Sequence, residues 1–94
     1  MLNKVKMALR INNDAYNDEI AGLIEACKKE LELAGIASSN IDNDDAIIAQ
    51  TIISYCKGNF GYDNPDAERY LKSYESLKIF LCLNYKSPIN EEVE

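Results

Sequence analysis

The sequence has no histidine and no tryptophan. Without imidazole there is no histidine base, no histidine-ligated metal and no Ser–His or Cys–His nucleophile, which removes most common hydrolase mechanisms. Basic residues are in the minority: ten Lys and Arg face sixteen Asp and Glu, for a net charge of −6 and a pI near 4.6. Holding a phosphate backbone takes clustered cations, and here they are scattered among acids. Four glycines are too few for a phosphate cradle. No run is long and apolar enough to span a bilayer, and the opening MLNKVKMALRINND is too short and too polar for a signal peptide, so no membrane association is expected. Three cysteines, an odd number beside no secretion signal, read as free thiols in a reducing compartment.

What the chain does have is helical periodicity. Its 94 residues, 47% hydrophobic, suit one domain over 1–94 that buries roughly 60–65% of its unfolded surface. The organising stretch is 45–74. In it Tyr55, Ile48, Ile52, Cys56, Ala49, Phe60 and Ile53 share one arc of roughly 160°. Lys57, Gln50, Ser54, Gly58 and Thr51 occupy the other side. An arc that wide needs more than one neighbour, which marks a core helix near 45–60, capped by Asn43 or Asp44. Gly61 suits a left-handed C-terminal cap. Asn64 and Pro65 read as the N-cap and first residue of a last helix near 65–83.

Upstream, Leu2, Val5 and Leu9 predict a short helix over 2–10, and Asn12, Asn13 and Asp14 a turn. Tyr16, Ile20, Leu23, Ile24, Cys27, Leu31 and Ala34 predict a helix over 15–34. It stops at Gly35, with Ile36 reaching back to Leu31. Residues 37–44 read as a polar loop anchored by Ile41. The last helix places Ala67, Tyr70, Leu71, Tyr74, Leu77 and Leu81 inward, while Ile79, Phe80, Cys82 and Leu83 add more apolar area than one partner helix needs. Pro88 forbids continuation; 84–94 is read as a C-terminal acidic tail, of which Asn90 to Glu94 would ordinarily be disordered. The expected fold is all-α: a small four-helix bundle, first helix short.

A search for chemistry returns little. Asp42, Asn43, Asp44 and Asp45 invite a calcium loop, but an EF-hand begun at Asp42 would need Gly and Glu where Ile47 and Ile53 stand; helix capping is the better reading. The pairs Asp18-Glu19 and Glu91-Glu92 suit a solvated surface. Cys27 and Cys56 lie on apolar stripes and Cys82 on the flank of one, as inert core thiols do. No catalytic residue, metal site or cofactor is indicated. Six tyrosines, with Tyr62, Tyr70 and Tyr74 around the break, suit an interface in which one end of the ring is apolar and the other wet.

The break and its flanks, Tyr55-Cys56-Lys57-Gly58-Asn59-Phe60-Gly61-Tyr62-Asp63-Asn64-Pro65-Asp66-Ala67-Glu68-Arg69-Tyr70 and then Ser73-Tyr74, resemble the head–tail connector (head-completion, DNA-packaging) proteins of tailed bacteriophages and prophages. The opening Val5-Lys6, Leu9-Arg10-Ile11, followed by Asp18-Glu19-Ile20 and Leu23-Ile24, is similar to the start of the same family. The resemblance covers about 2–83, and NFGYDNPDAERY is its specific part.

That resemblance implies a small helical subunit of a homo-oligomeric ring under the portal protein, extending the DNA channel and joining head to tail. It implies no catalytic residues to carry over. The implied partners are other copies of the chain, the portal protein, and tail or stopper (completion) proteins. DNA would pass through without sequence-specific binding, and the location would be the virion neck, assembled in the host cytoplasm. Gly61, Tyr62, Asp63, Asn64, Pro65, Arg69 and Tyr70 are the expected interface residues. The competing reading is a small acidic cytosolic regulator, such as a DNA mimic. A mimic would array carboxylates on one face, whereas these are interleaved with lysines.

Overall fold

Among the described residues the chain folds as five helices, the four longer ones on apolar residues at steps of three and four: α1 (Leu2–Leu9), α2 (Asn17–Leu33), α3 (Ser38–Ile41), α4 (Ala46–Asn59) and α5 (Ala67–Asn84). The computed structural model describes residues 1–42, 45–61 and 64–85, and contains no strand among them. Of the expected tail over 84–94, Asn84 instead ends α5 and Tyr85 is described; 86–94, Pro88 included, lie outside the described residues, as do Asn43, Asp44, Tyr62 and Asp63. The particle is elongated, 47 × 24 × 18 Å.

Helix α4 is the hub. It packs most extensively on α5 and also meets α1 and α2, while α3 rests on α2. Val5, Ile20, Cys27, Leu31, Ile48, Ile52, Cys56 and Leu81 are fully buried. The predicted apolar arc of α4 is covered by more than one neighbour, as expected: Ile48, Ala49, Ile52 and Cys56 are buried, and Tyr55 meets Tyr74 of α5. Its polar side is the correction: Thr51 and Ser54 are buried too, because α5 covers them. Thr51 Oγ1 donates to the Ile47 carbonyl at 2.7 Å, which satisfies the buried hydroxyl within its own helix. Gly58 lets α5 come closest. A Cβ there would stand 2.5 Å from Leu71 Cδ2 and 2.7 Å from Leu71 Cγ.

The helix ends differ from the expected ones by one or two residues, with local causes. Helix α1 closes in a Schellman arrangement: the N–H of Arg10 donates to the Met7 carbonyl (3.1 Å) and that of Ile11 to the Lys6 carbonyl (2.9 Å). This holds the non-glycine Arg10 at φ 62°. Helix α2 ends as the sequence predicts. Gly35 takes φ 101°, and the Ile36 N–H reaches the Leu31 carbonyl at 3.1 Å.

The expected polar loop at 37–44 instead holds α3, a single turn that buries Ile41. The N-cap of α4 is Asp45, not Asn43 or Asp44. Asp45 Oδ1 accepts from the Ile47 N–H at 2.7 Å and Oδ2 from the Tyr85 hydroxyl at 2.9 Å. At the C-terminus of α4 the cap position belongs to extended Phe60, and Gly61 follows with the anticipated positive φ of 87°. Asn64 and Pro65 do not begin α5. They form a turn, and Asp66 is the N-cap.

Ties distant in sequence fix the helices against one another. The buried Tyr74 hydroxyl donates to Glu30 Oε1 at 2.6 Å, and Lys78 Nζ lies 3.8 Å from the same carboxylate. The Tyr55 and Tyr74 rings meet edge-on at 5.1 Å. Burial pushes the Cys27 and Cys56 thiols up to about 12, so both are held as neutral, unreactive core groups.

Two outcomes follow. Gly58→Ala should destabilise the fold by about 1–2 kcal/mol despite alanine's better helix propensity, because Leu71 must move. Leu71→Ala should cost less in the Gly58→Ala background than alone, which a double-mutant cycle of chemical denaturations reads. The Asp45 carboxylate is held below its ordinary 3.8 by the Ile47 N–H first and the Tyr85 hydroxyl second. A depressed carboxylate contributes stability above its unfolded pKa and loses it as pH falls through the folded value. Asp45→Asn should therefore weaken the loss of stability below about pH 4 in a series of melts, leaving the part due to Asp14, which Lys6 lowers.

Candidate subunit interface

The α4–α5 break is built from short-range polar bonds. Asn64 Nδ2 donates to the Lys57 carbonyl at 2.6 Å, satisfying one of the carbonyls that the end of α4 leaves open. Its Oδ1 accepts from the Asp66 N–H at 3.1 Å, and its own carbonyl accepts from the Ala67 N–H at 3.1 Å. One asparagine thus ties the end of α4 to the start of α5. Gly61 and Pro65 are both exposed, and a Cβ at Gly61 would meet nothing within 4 Å. Only backbone conformation constrains that residue.

Of the expected interface residues, the structure brings Asn64, Arg69 and Tyr70 into one neighbourhood. The Tyr70 ring lies between two cations: Lys57 Nζ is 5.2 Å from its centroid and the Arg69 guanidinium carbon 4.9 Å. Arg69 also pairs with Asp66 at 3.6 Å, one turn back on the same exposed helix face, which is worth a few tenths of a kcal/mol, roughly. Beside Tyr70 opens a cleft of about 380 Å³, lined by Ala8, Leu9, Arg10, Lys57, Phe60 and Asn64 in addition to the ring. Gly61 lies on a separate concavity of about 390 Å³ with Ile11, Tyr16 and Phe60. Sequence reasoning did not find Arg10 and Lys57. Both lie in stretches that carry the family resemblance, but neither was singled out as an interface residue, and the cleft exists only because the end of α1 is laid against the α4–α5 break.

A second surface lies at the far end of α5. Ile79, Phe80 and Leu83 are 60%, 45% and 71% exposed. On the helix they span about 100°, roughly opposite the buried Tyr74 and Leu81. The sequence marked these residues as surplus apolar area, and the fold leaves them uncovered. Cys82, on the flank, instead turns toward α2, with its Sγ 3.6 Å from the Ala34 carbonyl. Met7 and Leu33 are further exposed apolar side chains. Between α4 and the first half of α5 runs a shallow polar groove of about 740 Å³ lined by Gln50, Ser54, Arg69, Lys72 and Ser73 among others.

Among the described residues no three His, Cys, Asp or Glu side chains come together in a way that could hold a metal ion, and no helix is long and apolar enough to cross a membrane. The chemistry of these surfaces is that of contact: aromatic and aliphatic area beside a few cations.

Comparison with known proteins agrees with that character. A family model described as a phage connector protein matches residues 1–88. No curated protein and no solved structure matches the chain. With nearly the whole chain covered, including both surfaces just described, this small helical protein belongs to the phage connector protein family.

Proposed function

We propose that the chain is a structural, non-enzymatic subunit of a homo-oligomeric ring that sits under the portal, extends the DNA channel and joins head to tail in the virion neck. The observation that carries this reading is the apolar outer face of α5. Ile79, Phe80 and Leu83 stand on the side away from the core, in a chain that belongs to the connector family. A ring closes when one surface of a subunit meets a different surface of the next through a fixed rotation. The subunit must then hold its two surfaces at a constant angle.

The break supplies that constancy. Asn64 bonds across it, and Gly58 against Leu71 sets how closely the two helices lie. An acidic lining would let DNA pass without holding it. The regulator reading has less support, since the acids are not arrayed as a phosphate mimic. Asp14, Asp42, Glu30, Glu32, Glu68, Asp66 and Glu75 are each within 4.0 Å of a cationic nitrogen.

The test is a pair of variants scored for folding and for tailed particles. Ile79→Ser with Leu83→Ser should change stability by no more than about 0.5 kcal/mol per site, since both side chains are exposed, and should sharply lower the yield of tailed particles seen by electron microscopy. Gly61→Val should cost about 1–3 kcal/mol of folding stability through the positive φ alone and should harm assembly more than folding. Normal tailed-particle yield from both folded variants would overturn the ring reading.

A further inference from the structure

Most of the described cations are already partnered. Lys6, Lys28, Lys29, Arg69, Lys72 and Lys78 each form an ion pair, and Lys4 has an interaction of its own. Arg10 and Lys57 enter no ion pair among the described residues, although acids outnumber bases in this chain. Both line the same cleft of about 380 Å³ beside the Tyr70 ring. Arg10 is also the one described non-glycine residue with positive φ. That conformation is disfavoured for arginine and is imposed here by the cap of α1. Two cations without an ion pair among the described residues, an aromatic wall and the apolar Leu9 and Phe60 form a receptor for a short acidic segment that also carries an aliphatic side chain.

We infer that this cleft receives the acidic segment 91–94 (Glu91, Glu92, Val93, Glu94) of a second copy of the chain, a contact that builds on the homo-oligomer reading above. Charge complementarity selects the segment, because three carboxylates in four residues would face Arg10 and Lys57 with Val93 against the apolar wall. The described aspartates of the other dense acidic stretch are engaged elsewhere: Asp42 lies 4.0 Å from Lys28 Nζ, and Asp45 caps α4.

Geometry favours a second copy over the same chain. Tyr85 follows Tyr70 by fifteen residues on one helix, so it lies about 22 Å away along the axis. The six residues from Tyr85 to Glu91 reach at most about 22 Å even when fully extended. Glu91 could return to its own cleft only along a straight path flat against α5. A DNA backbone is a poorer occupant, since it needs a track of cations and the cleft offers two.

The experiment uses the full chain and a fluorescein-labelled peptide of residues 85–94, followed by anisotropy at low and high salt. Wild type should bind the peptide, and binding should weaken as salt rises. Affinity should fall about fivefold or more in Arg10→Gln/Lys57→Gln, as expected for two lost charge contacts, and likewise for a peptide with its three Glu replaced by Gln. Thermal melts confirm that the variant remains folded. Equal binding by the variant or by the neutral peptide would overturn the assignment.

A full chain carrying Glu91→Gln, Glu92→Gln and Glu94→Gln serves as a second receptor. If it binds the peptide while wild type does not, the segment docks within its own chain and the second-copy assignment fails. If neither binds, the site fails outright. If labelled duplex DNA binds in an Arg10- and Lys57-dependent way and the peptide does not, the cleft is a phosphate contact and the inference fails. Each of these failures leaves ring assembly on the portal unaffected, so the two readings fall separately.

Discussion

The approach of α5 to α4 at Gly58 is the constraint on which the rest of the molecule depends. Leu71 sits where a glycine Cβ would be, and that proximity lets α5 lie over Thr51 and Ser54 and bury them. Move α5 outward by the width of a methyl group and three consequences follow together. The hydroxyl face of α4 opens to water, the Tyr70 ring leaves Lys57, and the apolar end of α5 points elsewhere. Close packing makes such a shift discrete rather than gradual, since an interior without voids does not deform smoothly.

Around that seam, polar bonds set the register. Tyr74 to Glu30, Tyr85 to Asp45 and Asn64 to Lys57 link residues far apart or on opposite sides of the break. Each pins one point along α5: Asn64 just ahead of its start, Tyr74 at its middle, Tyr85 at its end. Non-directional apolar contact alone would permit α5 to slide or turn on α4. Hydrogen bonds with defined geometry do not. The outcome is a rigid rod-and-hub subunit whose outward apolar patch and cationic cleft lie near opposite ends of one helix.

Much of this was legible in the sequence. The stripe Ile20, Ile24, Cys27, Leu31 had a period that only a helix satisfies, and Gly35 and Gly61 had the one side chain that takes positive φ without steric cost. The surplus apolar residues at 79, 80 and 83 stood out because an inner stripe was already complete without them. What stayed hidden depended on partners remote in the chain. Thr51 and Ser54 fell outside the apolar arc, and nothing local says that α5 will cover them. Glu30 lies off the apolar stripe of α2, and nothing local says that Tyr74 and Lys78 will sit beside it. Arg10 gave no signal of a cleft, since its left-handed backbone follows from the cap of α1 and the cleft from three elements meeting. The one-turn helix α3 was missed because four residues are too few to establish a period.

The chain belongs to the phage connector family, and in the proposed ring the two ends of α5 are where it would join other copies. The most direct test is the mass and symmetry of the complex that the purified chain forms with the portal of its phage. The account predicts many copies in a closed ring, with Ile79, Phe80 and Leu83 inside a contact between subunits. A single copy on the portal, or a ring in which the outer face of α5 remains open to solvent, would contradict it.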